Sequence, residues 1–137
     1  MGAGWPPHLP ATSVRFARPT ARLEACAAFY RDVLGLPVLA EFRGHDGYDG
    51  VVLGLPDRTV QLELTQRDGA PAPPDPTPEH QLVCYVGDEA ALARAEARLR
   101  EHGHEPVPPE NPYWSRRGAL AFTDPDGWVV IIAPWTE

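Results

Sequence analysis

The hydrophobic positions along this chain change period several times, and the same series of changes runs twice. Ser13 to Arg18 alternates apolar and polar residues, the period of a half-buried strand. Pro19-Thr20 punctuates the chain, with Thr20 placed to cap a helix. From Ala21 to Leu34 the period lengthens: Leu23, Ala27, Tyr30 and Leu34 recur at helical spacing, and Cys26, Phe29 and Val33 widen the stripe. Gly35 sits where a left-handed C-cap belongs. Three strands are predicted next: Pro37 to Arg43, Gly50 to Leu55 and Thr59 to Gln66. They are separated by Gly44-His45-Asp46-Gly47 and Pro56-Asp57-Arg58.

Arg67 to Pro78 is rich in Pro and Asp and reads as a linker. The pattern then returns. His80 to Val86 is a strand, and Asp88 caps a helix running through His102, with Leu92, Ala95 and Leu99 inward and Gly103 as the stop. Short strands are expected at Glu105 to Val107, Leu120 to Thr123 and Trp128 to Ala133, the last two joined by the turn Asp124-Pro125-Asp126-Gly127. The offset of 68 residues that carries Gly35 onto Gly103 also carries Glu63 onto Ile131. Two copies of one unit are expected, eight strands and two helices in all. Each unit buries one sheet face under its helix and leaves the other as a cleft. The organisation is a loose arm over 1–11 and a single domain over 12–137, divided into 12–66, the linker 67–78, and 79–135.

Composition narrows the function. A chain of 137 residues holds one domain with a proper core. No apolar run approaches the roughly 18 residues of a membrane helix, and Met1 to Pro10 lacks the pattern of a signal peptide, so a cytoplasmic protein is expected. A net charge of −7 argues against a nucleic-acid partner, which needs a basic face, and leaves a small molecule. All 12 basic residues are Arg. Without Lys, Schiff-base chemistry and a P-loop are excluded, and the Arg, Ala and Pro bias suggests a GC-rich bacterial genome. Cys26 and Cys84 fit reduced, buried thiols.

Phe29-Tyr30-Arg31-Asp32-Val33-Leu34-Gly35-Leu36 resembles the helix end of the vicinal oxygen chelate superfamily, the glyoxalase, bleomycin-resistance and extradiol-dioxygenase group. Asp124-Pro125-Asp126-Gly127 before an apolar strand resembles its second hallmark. The resemblance spans residues 13 to 134. It implies an α+β fold of two βαβββ modules whose curled mixed sheets surround a ligand cleft, commonly in a homodimer. Two dimer modes stay open: each chain closes its own cavity, or modules pair between chains.

Metal-dependent members of that superfamily hold an ion with four side chains, two on the first strands and two on the last strands of the modules. Carried over, these positions are Arg15, Glu63, His80 (or Gln81, if the register is one residue off) and Ile131. Glu63 matches, Ile131 cannot ligate, and an always-charged guanidinium is a poor ligand. No metal and no other cofactor is therefore expected. The alternative is a divalent ion with Glu63 and His80 as the only matching ligands, serving a lyase, isomerase or dioxygenase, with His45 as a conceivable replacement ligand. An Arg15–Glu63 ion pair is the expected occupant of the vacant centre.

Other candidates lie in loops. Asn111 to Gly118 brings Tyr113, Trp114, Arg116 and Arg117 together, where they rim the cleft for a flat or anionic ligand or simply pack against the sheet edge. Tyr48 and Asp49 are similar but weaker. His45 and Asp46 fit a turn better than a dyad, and His102 and His104 fit a helix end. The expected ligand-binding set is Arg15, Tyr48, Glu63, His80, Gln81, Trp114 and Arg116. The expected function is binding of a small aromatic or anionic compound. A metal-free enzyme with His80 or Glu63 as base and Arg15 as oxyanion partner would use the same groups.

Overall fold

Each half of the chain builds a small mixed sheet with a helix against one face. The computed structural model describes residues 4–137. Met1 to Ala3 of the expected arm lie outside the described residues, and Trp5 is half exposed. The first module contains β1 (Val14–Pro19), α1 (Leu23–Ala28), β2 (Val38–His45), β3 (Tyr48–Gly54) and β4 (Val60–Arg67). Its strand order is β1-β4-β3-β2, with β1 parallel to β4 and the rest antiparallel. The second contains β5 (Gln81–Tyr85), α2 (Glu89–Glu101), α3 (Pro112–Arg116), β6 (Leu120–Thr123) and β7 (Val129–Ala133), ordered β5-β7-β6 with β5 parallel to β7. This is the α+β architecture of two βαβββ modules.

The second copy departs from the expected eight-strand count. Glu105 to Val107 is no full strand; among the described residues it is reduced to a single bridge, Val107 with Ala121. Pro106, Pro108 and Pro109 explain this, because a proline has no N–H for a ladder. The loop that follows, expected to be irregular, contains α3, started by Pro112 and by Asn111, whose Oδ1 accepts from the Tyr113 amide at 2.9 Å. In the first module the turn between β2 and β3 is tighter than expected. His45 pairs with Tyr48 and only Asp46-Gly47 bridge them, both at positive φ, the geometry that favours Asp-Gly in hairpins.

The first helix also differs from the expected Ala21–Leu34. Thr20 does not cap it: Thr20 Oγ1 accepts from the Arg22 amide, one step too early. The N-cap residue is Arg22, which makes no capping bond of its own. The cap comes from another strand, where Gln66 on β4 accepts from the Leu23 amide at 3.1 Å and donates to the Ala21 carbonyl at 3.1 Å. After Ala28 the helix widens into a π turn over Phe29–Val33, with the Leu34 amide bonded back to the Phe29 carbonyl. The carbonyls of Asp32 and Val33 accept from Arg98 on α2 at 2.7 and 2.8 Å. Asp88 caps α2 as expected, accepting from the Ala91 amide at 2.8 Å.

One apolar core serves both modules. Leu23, Cys26, Phe29 and Tyr30 of the first helical segment pack on Val51, Leu53, Leu62 and Leu64. The same cluster takes in Leu92, Leu99, Phe122, Val130 and Ile132 of the second module. The helix-side faces of the two sheets thus meet, and the opposite faces look away from this core.

A buried polar cluster bolts the halves together. The Asp124 side chain has no solvent exposure. Its Oδ2 receives Arg18 of β1 and the Tyr30 hydroxyl, the latter at 2.7 Å, while its Oδ1 takes the amides of Asp126 and Trp128 at 2.8 and 3.0 Å. Arg18 also reaches Asp126 at 3.0 Å and lies 5.1 Å from the centre of the Trp128 ring. Burial pushes the Tyr30 hydroxyl far up, with Asp124 adding to it. Burial would lower Arg18, yet Asp124 and Tyr30 outweigh it and hold it above its usual range. Cys26, donating to Asp126 at 3.2 Å, is pushed up to about 11, chiefly by burial, and stays a neutral thiol. Asp126 moves the other way: burial would raise it, but bonds from Thr20, Cys26 and Arg18 leave it below its ordinary value.

Two predictions follow from these contacts. Gln66→Ala should lower the unfolding free energy by about 1 kcal/mol, read by urea denaturation, because the start of α1 loses its acceptor; an unchanged midpoint would remove Gln66 from that role. Because Asp126 has a lowered folded pKa, its contribution is fully present above the ordinary value of 3.8 and is lost as pH falls through the folded value. The melting temperature should therefore drop below about pH 4, and drop less steeply in Asp126→Asn. Parallel acid profiles for the two proteins would contradict this.

Candidate functional site

Alternation along β4 decides what the open face of the first module offers. Leu62 and Leu64 face the helix, so Gln61, Glu63 and Thr65 face the other way, joined by Gly50, Val52 and Gly54 across β3. On the parallel side, Arg15 and Ala17 of β1 stand opposite Gln61 and Glu63 and share their face. Arg15 Nε donates to Gln61 Oε1 at 2.9 Å, and Nη1 lies 3.4 Å from Glu63 Oε2. Gln61 is itself fixed by donating to the Arg58 carbonyl at 2.8 Å. The Arg15 side chain is 48% exposed and that of Glu63 14%, so the guanidinium is held from below and open above. A guanidinium so placed still has N–H donors for an anion.

Residue size shapes the same face. A Cβ on Gly50 would sit 2.1 Å from the Phe42 ring, which covers that glycine. Neither of two depressions in the surface includes Arg15 or Glu63. A small groove between the modules is lined by Pro19, Arg22, Asp126, Trp128 and the Pro-rich segment 72–76. A wider one lies at the hairpin end, near Gly44, Gly47 and Arg67. On this face Val52 and Gln61 are buried, and the Arg15 guanidinium is the half-exposed group.

The second module presents a different face. The choice between His80 and Gln81 resolves by register: Gln81 stands opposite Val129, on the face shared by Val83 and Ile131. His80 lies outside β5, its Nδ1 within 3.0 Å of the Thr77 amide and 2.9 Å of its hydroxyl, with its ring edge-on to Trp128. Gln81 is not free either, because its Oε1 accepts from Trp114 Nε1 at 3.2 Å. Ile131, the counterpart of Glu63, has no exposed surface and lies with Ala119, Ala121, Val129 and Ala133 beneath Trp114.

The remaining expected residues are dispersed. Trp114 does not rim an open cleft; it is 8% exposed and packed into the sheet face. Arg116 at the end of α3 is exposed, and it is Arg117, its neighbour, that stacks on Trp135 with its Cζ 3.8 Å from the ring centre. Tyr48 stands opposite Arg67, six residues along β4 from the partner of Arg15, or about 20 Å. His45 and Asp46 are exposed and 3.6 Å apart in the hairpin turn. His104 packs edge-on to Phe29, a structural place. The structure thus joins Arg15 with Glu63, joins Gln81 with Trp114, and leaves Tyr48, His80 and Arg116 apart. Gln61 was missed by sequence reasoning although it is two residues from Glu63 on one strand, the spacing that marks a shared face.

A divalent metal of the kind the superfamily uses does not fit these residues. Ile131 offers no lone pair, Glu63 is engaged by a cation, Gln81 by an indole, and His80 points to the linker. No group of three His, Cys, Asp or Glu residues gathers in metal-binding geometry among the described residues. No helix among them is long and apolar enough to cross a membrane.

Sequence profiles of the YycE-like N-terminal domain and the YycE-like C-terminal domain match residues 14–65 and 79–133. The chain belongs to the YycE-like family. It is 42% identical over 121 residues to YycE of Bacillus subtilis strain 168, an uncharacterised protein, spanning 88% of this chain and 86% of that one. The crystal structure of Bacillus subtilis YycE, a protein of unknown function described as a candidate glyoxalase/fosfomycin resistance protein, superposes with a TM-score of 0.88 at 40% identity, over 93% of each chain. A glyoxalase/bleomycin resistance protein from Streptomyces sp. CB03234 gives 0.60 at 25% identity, over 88% of this chain and 98% of that one. The trypanothione-dependent glyoxalase I of Leishmania major gives 0.67 at 21% identity, over 88% and 84%, a likeness of fold alone. The fold is that of the vicinal oxygen chelate superfamily.

Proposed function

We propose that this YycE-like chain is a cytoplasmic, bacterial binding protein of the glyoxalase/bleomycin-resistance type that takes a small aromatic or anionic ligand without a metal. The observation that carries this reading is Arg15, a half-exposed guanidinium braced by Gln61 and Glu63 on the open face of the first module, at its β1 edge. A fixed positive charge there repels a divalent cation and favours a carboxylate or phosphonate. A second copy of the chain is the proposed cover for the half-exposed Arg15. Edge strands β1 and β5 carry Phe16 and Tyr85, 78% and 42% exposed, where a partner would shelter them.

Two measurements test the reading. Protein soaked in zinc, nickel or manganese and desalted should hold far less than one ion per chain by elemental analysis; one ion per chain, lost in Glu63→Ala, would overturn the metal-free assignment. In a panel of aromatic carboxylates and phosphonates screened by native mass spectrometry, a binder should emerge at the dimer mass. Arg15→Ala should weaken it by about 2 kcal/mol, the worth of a hydrogen bond to a charged group. Equal affinity in the variant would rule out Arg15 as the anchor.

A further inference from the structure

The open face of the second module is not empty: it is occupied by the chain itself. Its floor, made of Val83, Ala121, Val129, Ile131 and Ala133, is aliphatic, and α3 lies on it with Trp114 inserted. We propose that Trp114 is a displaceable plug, and that this floor is a binding site for a planar bicyclic aromatic ligand with one N–H or O–H donor on its edge. The indole already there states the chemistry. It is flat, it stacks on Trp135 with ring centres 6.0 Å apart and planes 19° apart, and its edge donor is received by Gln81 Oε1 at 3.2 Å. A ligand of that shape would recover the same contacts when the side chain leaves.

Four features make the plug removable. The floor is completed by its own ladder, β5-β7-β6, and needs no hydrogen bond from α3 to hold together. The helix is five residues long, far below the length at which a helix persists by itself, so its order depends on docking. Of its residues only Trp114 is buried, and Pro112, Ser115 and Arg116 are exposed. Gly118, at φ +79°, ends the segment with a turn that other residues rarely adopt. Ligand affinity would then be the intrinsic value scaled by the fraction of chains with the plug out. This site lies on the second module and does not depend on the Arg15 reading.

The test uses the full chain, indole as probe, and the side-chain N–H resonance of Trp114. Indole added to the wild-type protein should move that resonance from its Gln81-bonded position to that of a solvent-exposed indole. Benzofuran, of the same shape without the N–H, should bind about fivefold more weakly, the worth of one neutral hydrogen bond. Trp114→Phe keeps an aromatic plug but loses the tether and frees Gln81; it should bind indole about five- to tenfold more tightly than wild type. Backbone amides of α3 should exchange far faster than those of β7 in the free protein. The proposal fails if indole near its solubility limit leaves the Trp114 resonance unmoved. It fails equally if α3 amides are as protected as β7, or if Trp114→Phe binds no better.

Discussion

A single buried carboxylate holds this architecture in one piece. Asp124 belongs to the second module, yet its oxygens take a guanidinium and a phenol from the first while satisfying two amides of its own turn. Removing either side would strand a charge in the interior, which is why such a contact fixes geometry even where its net stabilisation is modest. Everything else about the site follows from the orientation it sets. The helix-side faces are drawn into one core, and the two opposite faces are turned outward.

Those outward faces have diverged although their frames match. On the first, alternation along β4 presents Gln61, Glu63 and Thr65, with Arg15 braced across the strand boundary. On the second, the equivalent strand presents Val129, Ile131 and Ala133, covered by α3. The loss of a metal-competent centre is therefore more than one substitution. Ile131 in place of a carboxylate would be an unsupported apolar side chain in a wet cleft, and the aromatic cover is what makes it a sound core residue. Conversely, Trp114 could not lie on this face if a charged side chain stood beneath it.

Much of the fold could be read from sequence because its signals are local. The glycine stops at 35 and 103, the Asp88 cap and the Asp-Pro-Asp-Gly turn depend on backbone conformations that only certain residues favour. Misreadings came where distant residues decide. Thr20 looks like a cap, but the acceptor is Gln66, brought there by sheet pairing. The π turn at Phe29–Val33 exposes carbonyls to Arg98, a partner 65 residues away. His80 and Gln81 could not be told apart because strand register is a property of the sheet, and one step exchanges the faces. Tyr48 and Arg15 were expected in one ligand-binding set, whereas β4 separates them by most of its length.

The cap from Gln66 has a consequence for how the chain folds. The helix α1 spans six residues and supplies no side-chain acceptor at its own start. Its first turn is completed by the last strand of its module, more than forty residues downstream. In a nascent chain, the segment around residues 20–34 thus lacks its acceptor until β4 has been made and paired. Helix and sheet must order together, so the first module has no stable half-built form, and a peptide cut from that segment would remain a coil in water.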